Sequence, residues 1–277
     1  MNRFYINVNE KNVRVTEWGN EDKPTIFCLH GLGSTSLSFI EIAEGLKERY
    51  HIIAVDAPGH GKSESFDREE DYEMPKMVEW LNRVLDRLNI HAFYFLSHSW
   101  GSFVTLFYLK ENREKVKGSL LLDGGYQSKR ESQLSMEEEA ASYEIDFEDY
   151  MESWESFREH AAYGAVTRRT PSLDLAAEDL LLMKGGKYYW HARGKTGSSI
   201  VKAMHKHEIM DIYKALPAEI ILLRATLPEE RESERSRMAS VFEKEASAIV
   251  ELVPHSTHML HWDQPEYVIS VITQRWV

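Results

Sequence analysis

Ala92-Phe93-Tyr94-Phe95-Leu96-Ser97-His98-Ser99-Trp100-Gly101-Ser102 is the stretch on which the fold turns. Its first five residues form a short continuous apolar run, and residues 101–110 carry the apolar spacing of a helix. A strand that passes into a helix through a serine flanked by small residues is the setting of a nucleophile elbow, a strained turn that lifts the hydroxyl above a sheet. Because the turn brings strand and helix backbones together, the positions two before and two after the serine must be small. Gly101 meets this demand, and Ser97 stands where glycine is usual. On its own, the same stretch also reads as an ordinary Ser-rich strand-to-helix turn.

The pattern repeats on both sides. Short apolar runs occur at 25–29, 51–55, 119–122, 220–223 and 248–252, with helical periodicity between them. The spacing predicts helices over 37–47 and over 74–88, the latter with Pro75 in its first turn, where the missing N–H is not needed. Buried strands alternating with helices predict a doubly wound, mostly parallel α/β sheet. Two alternating runs, 4–8 and 13–18, predict an antiparallel start with a turn at Asn9-Glu10. The alternation breaks between Asp123 and about Leu216, where helical signals prevail and no strand is expected. One helix is expected through Phe147, Tyr150/Met151, Trp154 and Phe157, capped by Asp146. The division is therefore a core of residues 1–125 and 216–277, with 126–215 as a helical lid inserted after the sixth strand.

Three further loops follow core strands: His30-Gly31-Leu32-Gly33, Asp56-Ala57-Pro58-Gly59-His60-Gly61-Lys62-Ser63, and 254–266 with His255, His258 and His261. The first can place a backbone N–H beside the serine as half of an oxyanion hole, although any strand-to-helix unit can carry a Gly-rich turn. The His-x-x-His-x-x-His run invites a metal reading, but it spans a loop rather than one helical face, and no metal is expected.

These blocks, in this order, resemble the α/β-hydrolase family in its lid-bearing serine hydrolase subgroup, over about residues 20–125 and 216–277. The resemblance implies Ser99 as nucleophile, His258 as base, with Thr257 in place of the usual glycine, and the amides of Leu32 and Trp100 as oxyanion donors. It leaves the acid open. The loop after the run at 220–223 reads Arg224-Ala225-Thr226-Leu227-Pro228, with proline at the family's acid position. Asp123, between the run at 119–122 and the flexible pair Gly124-Gly125, is favoured, and Glu229 is the alternative.

Composition excludes other classes. The chain has 277 residues, 43% hydrophobic and 28% charged, with a net charge of −12. That charge disfavours phosphate backbones and anionic membranes, so neither nucleic acid nor membrane is expected as a partner. Cys28 is the single cysteine, and the first residues lack the apolar run of a signal peptide, which together predict a cytoplasmic protein. The expected activity is hydrolysis of a small, mostly apolar carboxylic ester, thioester or lactone through an acyl-enzyme on Ser99, with no cofactor. Two alternatives remain open: a cofactor-free ring-cleaving dioxygenase, which Ser97-His98-Ser99 with Asp123 also resembles, and a non-catalytic small-molecule receptor. The sequence gives no oligomer signal.

Overall fold

The computed structural model describes residues 1–217 and 219–276. The core strands are β1 (Asn2–Val8), β2 (Lys11–Trp18), β3 (Thr25–Leu29), β4 (His51–Val55), β5 (Phe93–His98) and β6 (Val116–Leu122). After three short strands, β7 (Tyr150–Met151), β8 (Leu181–Lys184) and β9 (Lys187–Trp190), the core resumes with β10 (Ile220–Ala225) and β11 (Ile249–Val253). Core strands are ordered β1-β2-β4-β3-β5-β6-β10-β11. The first two joins are antiparallel, and every join from β4 to β11 is parallel. The predicted hairpin is present: Val8 pairs with Lys11, and Asn9 and Glu10 both take left-handed φ angles of 52° and 65°. Two positive-φ residues give a turn whose twist matches that of the strands it joins.

Helices cover both faces, which is why β4 and β5 are buried along their whole length. In chain order α1 is Ile40–Leu46, α2 Met74–Arg87 and α3 Trp100–Asn112. Helix α2 turns Met77, Leu81, Val84 and Leu85 into one core with Phe95 and Phe103, together with Phe242 from the helix after β10. On the other face, Ile42 and Leu46 of α1 pack with Ile52, Leu96 and Leu122, and with Val268 and Ile272 near the C-terminus.

The segment between β6 and β10 departs from the sequence expectation. It contains α4 (Met136–Glu148), the one-turn α5 (Trp154–Ser156), α6 (Pro171–Asp179) and α7 (Gly194–Lys206), but also a three-stranded antiparallel sheet, β7-β9-β8. Tyr150 and Met151 lie in β7, so the single helix expected through Phe157 is not formed. Asp146 is inside α4 rather than at its start. The cap is Ser135, whose Oγ accepts the Glu138 N–H at 3.3 Å while Glu138 Oε2 accepts the Ser135 N–H at 2.9 Å. That reciprocal pair is a capping box, and it fixes the helix start eleven residues earlier than expected. The hairpin β8–β9 turns on Gly185-Gly186, both with positive φ. Its half-buried strands alternate too weakly to stand out from helical spacing.

The chain returns through α8 (Glu232–Ala246), α9 (Leu260–Asp263) and α10 (Pro265–Arg275). Among the described residues, no helix is long and apolar enough to cross a membrane.

Candidate active site

Ser99 occupies the bend between β5 and α3 with φ 51° and ψ −120°. This conformation is sparsely populated for residues with a side chain and costs on the order of 1–3 kcal/mol, so the surroundings must hold it. They do so through backbone contacts. The Ser99 N–H donates to Leu122 O at 3.0 Å, and Ser99 O accepts the Ser102 N–H at 3.0 Å. A Cβ on Gly101 would stand 2.4 Å from Leu29 O, and one on Gly124 would stand 2.3 Å from Ser99 O. Glycine at 124 therefore serves close approach to the elbow, rather than the flexibility expected from sequence. Ser97 fits at its position because its buried Oγ donates to Ser102 Oγ at 3.2 Å.

Residues from the loops after β6 and β11 converge on this serine. The Ser99 hydroxyl lies 2.9 Å from His258 Nε2, and His258 Nδ1 lies 2.8 Å from Asp123 Oδ2. With Nδ1–H donating to the carboxylate, Nε2 is free to accept the serine proton. Asp123 is 3% exposed, and its Oδ1 accepts from Tyr126 Oη and from the Ala225 N–H, both at 3.1 Å. Burial, and then the adjacent carboxylate, raise the Tyr126 phenol far above its usual pKa, which keeps it a donor. Of the two candidate acids, Asp123 is the one bonded to the imidazole. Glu229 is exposed, at the start of a single 3-10 turn. The loop before it is pinned by Arg235, which donates to Leu227 O at 2.7 Å and Pro228 O at 2.8 Å.

A family model described as the alpha/beta hydrolase fold matches residues 24–173. The chain belongs to the alpha/beta hydrolase family. A magnesium-chelatase 30 kDa subunit of Rhodobacter capsulatus is 36% identical over 92 residues, 33% of this chain; the aligned part spans only 32% of that protein. Serine hydrolase-like protein 2 of Homo sapiens is 22% identical over 288 positions, covering 95% of this chain and 90% of that protein. Among solved structures, a thioesterase domain from the curacin biosynthetic pathway superposes with a TM-score of 0.80 at 16% identity, covering 99% of both chains, a likeness of fold.

In this hydrolase-fold chain, Leu32 and Trp100 line the same cavity as Ser99 and His258, a space of about 290 Å³. Among the described residues neither of their amides has an acceptor, as befits a loop residue and the first residue of a helix. Gly31 lets this loop approach the elbow, since a Cβ there would lie 2.9 Å from that of Ser99. A second cavity of about 840 Å³ adjoins the first through Gln127, Tyr143, Arg231, Met238 and His258. Phe103, Val201 and Met204 give the smaller space an apolar side. Its far side is polar: Lys129 is bonded to Glu139, whose other oxygen is 2.7 Å from His205 Nε2. No motif in the sequence singles out Lys129, Glu139 or Tyr126.

The other histidines of the sequence blocks serve different ends. His98 is buried and donates from Nε2 to His258 O at 2.9 Å, so it anchors the backbone that carries the His258 ring. His255 is exposed, whereas His261 is buried with Nε2 2.8 Å from Ser38 Oγ, so the three histidines of the loop do not converge. Burial keeps several imidazoles neutral. It lowers His98 and His60 well below the usual value, lowers His30 and His191, and takes His261 to about 3, with His258 adding to the last shift. A group whose folded pKa lies below its unfolded value stabilises the fold above the unfolded pKa, near 6.5, and that stability is lost as pH falls toward the folded pKa. Each such histidine removes about 1.4 kcal/mol per pH unit in that window. Urea unfolding is therefore expected to show stability falling between about pH 7 and about pH 5, by about 2 kcal/mol for each imidazole that stays neutral over that range. An unchanged midpoint over that range would contradict the neutral buried imidazoles.

Proposed function

We propose that the protein is a serine hydrolase that cleaves a small carboxylic ester, thioester or lactone through an acyl-enzyme on Ser99, with residues 126–215 acting as the lid over the site. The observation that carries this reading is the chain Ser99 Oγ to His258 Nε2 and His258 Nδ1 to Asp123, built on a strained elbow. His258 takes the hydroxyl proton as Ser99 Oγ attacks the carbonyl carbon. The unclaimed amides of Leu32 and Trp100 stabilise the oxygen that becomes negative. Collapse expels the alcohol or thiol with the proton from His258, and a water activated by the same imidazole releases the acid.

The lining refines the expected substrate. Phe103, Val201 and Met204 suit an apolar group near the scissile carbonyl, while Lys129, Glu139 and Gln127 suit a hydrogen-bonding end beyond it. The test is pre-steady-state hydrolysis of short-chain nitrophenyl esters with and without dissolved oxygen. A burst equal to one nitrophenol per chain, followed by turnover above about 1 s⁻¹ in both conditions, is expected. Product formation only with oxygen, or no hydrolysis of any ester or thioester, would overturn the reading.

A further inference from the structure

The segment between β6 and β10 holds a third cavity, of about 350 Å³, none of whose lining residues belongs to the two spaces at Ser99. Four aromatic side chains line it: Phe147, Phe157, Tyr188 and Trp190. Phe147 and Phe157 are buried, the latter also stacked on Trp154, and Tyr188 and Trp190 are half-buried at the opening. Phe147 and Trp190 have centroids 5.9 Å apart at 46°, and Phe157 and Trp190 have centroids 5.6 Å apart at 62°. Phe147 also closes the inner side, its ring edge 2.9 Å from where a Cβ on Gly33 would stand. At the rim lie Asp146 and Asp149, both exposed, and neither has a cationic partner among the described residues. The nearby acids are neutralised: Glu148 by Arg193 and Glu152 by Lys187. His160, whose Nδ1 faces Ser156 O at 3.1 Å, and Tyr188 are the other titratable side chains in the lining.

Aromatic faces carry negative charge in their quadrupoles, so rings set at steep angles attract a cation too bulky and apolar to be strongly hydrated. Two unpaired carboxylates beside them add long-range attraction of the same sign. An anion is repelled by both, and a neutral apolar ligand gains nothing from the carboxylates. The geometry points to a binding site for a small organic cation of the alkylammonium class, choline-like in size, separate from the hydrolytic centre.

The experiment is calorimetric titration of the full chain with choline at low salt and about pH 8, where an ordinary imidazole is neutral. Its uncharged carbon isostere, 3,3-dimethyl-1-butanol, is titrated in parallel. Choline is expected to bind at millimolar concentration or better and at least about tenfold more tightly than the isostere. Asp146→Asn and Trp190→Leu should each weaken choline at least about fivefold, while Glu137→Gln, an equal charge change elsewhere on α4, leaves it unchanged. Asp146 is exposed, so its variant remains informative if the tryptophan variant misfolds. Equal binding of choline and isostere, equal weakening by Glu137→Gln, or no heat at about 50 mM choline would overturn the proposal. So would binding confined to phosphatidylcholine vesicles, or a trimethyl-lysine peptide binding more than about tenfold tighter than choline; these would assign the cavity to a membrane or a protein tail. Ester hydrolysis by Ser99 is measured separately and does not enter these outcomes.

Discussion

Ser99→Ala is expected to lower kcat toward a responsive nitrophenyl ester by about 10⁶, with binding of the ester little changed. The size of the loss follows from what the substitution leaves in place. The bend at residue 99 is held by backbone contacts to Leu122, Ser102 and Gly124, none of which uses the hydroxyl. Alanine keeps the turn, the cavity and the two amides, and removes only the attacking oxygen. What remains is the rate from the oxyanion donors and positioning, typically about 10³–10⁴ above water. Circular dichroism and the urea midpoint should match those of the parent, so that the loss is chemical. A Ser99→Ala variant within tenfold of the parent would mean that water, not this serine, attacks.

The second large effect is at Asp123. Its Oδ1 is already committed to two donors, Tyr126 Oη and the Ala225 N–H. In Asp123→Asn the amide oxygen must take that place, which turns the NH₂ group toward His258 Nδ1. The imidazole then accepts at Nδ1 and carries its proton on Nε2, the atom that has to receive the proton of Ser99. The expected loss is about 10⁴ in kcat. Glu229→Gln should leave kcat within about twofold, since an exposed carboxylate not bonded to the imidazole has no part in setting its tautomer. Steady-state kinetics of the two variants separate the acids left open by the sequence. The opposite ranking would move the acid to the loop after β10.

How much was legible depended on how local the determinant was. The elbow could be read because strand, small residue, serine and glycine are consecutive, and Gly101 is required by a contact with the neighbouring Leu29–His30 backbone. The core strands could be read because burial on both faces leaves unbroken apolar runs. Choosing between Asp123 and Glu229 was not a local matter. Asp123 bonds the imidazole because Gly124 seats it beside the elbow, while Arg235 grips the carbonyls of Leu227 and Pro228 in the loop before Glu229. The small sheet β7-β9-β8 leaves little trace in the sequence because its strands are two to four residues long and at most half-buried. Gly185-Gly186 was its one clear sign, a glycine pair suited to a two-residue hairpin turn. Likewise the Ser135-x-x-Glu138 capping box was present in the sequence and would have placed the start of α4.

The most direct measurement is the intact mass of the protein after incubation with a serine-directed phosphonate ester, followed by peptide mapping. One phosphonyl group per chain, on the peptide containing Ser99, is predicted. Labelling should be lost in Ser99→Ala and slowed strongly in His258→Ala. A parent protein that stays unmodified while hydrolysing esters, or a label carried on another residue, would contradict the account.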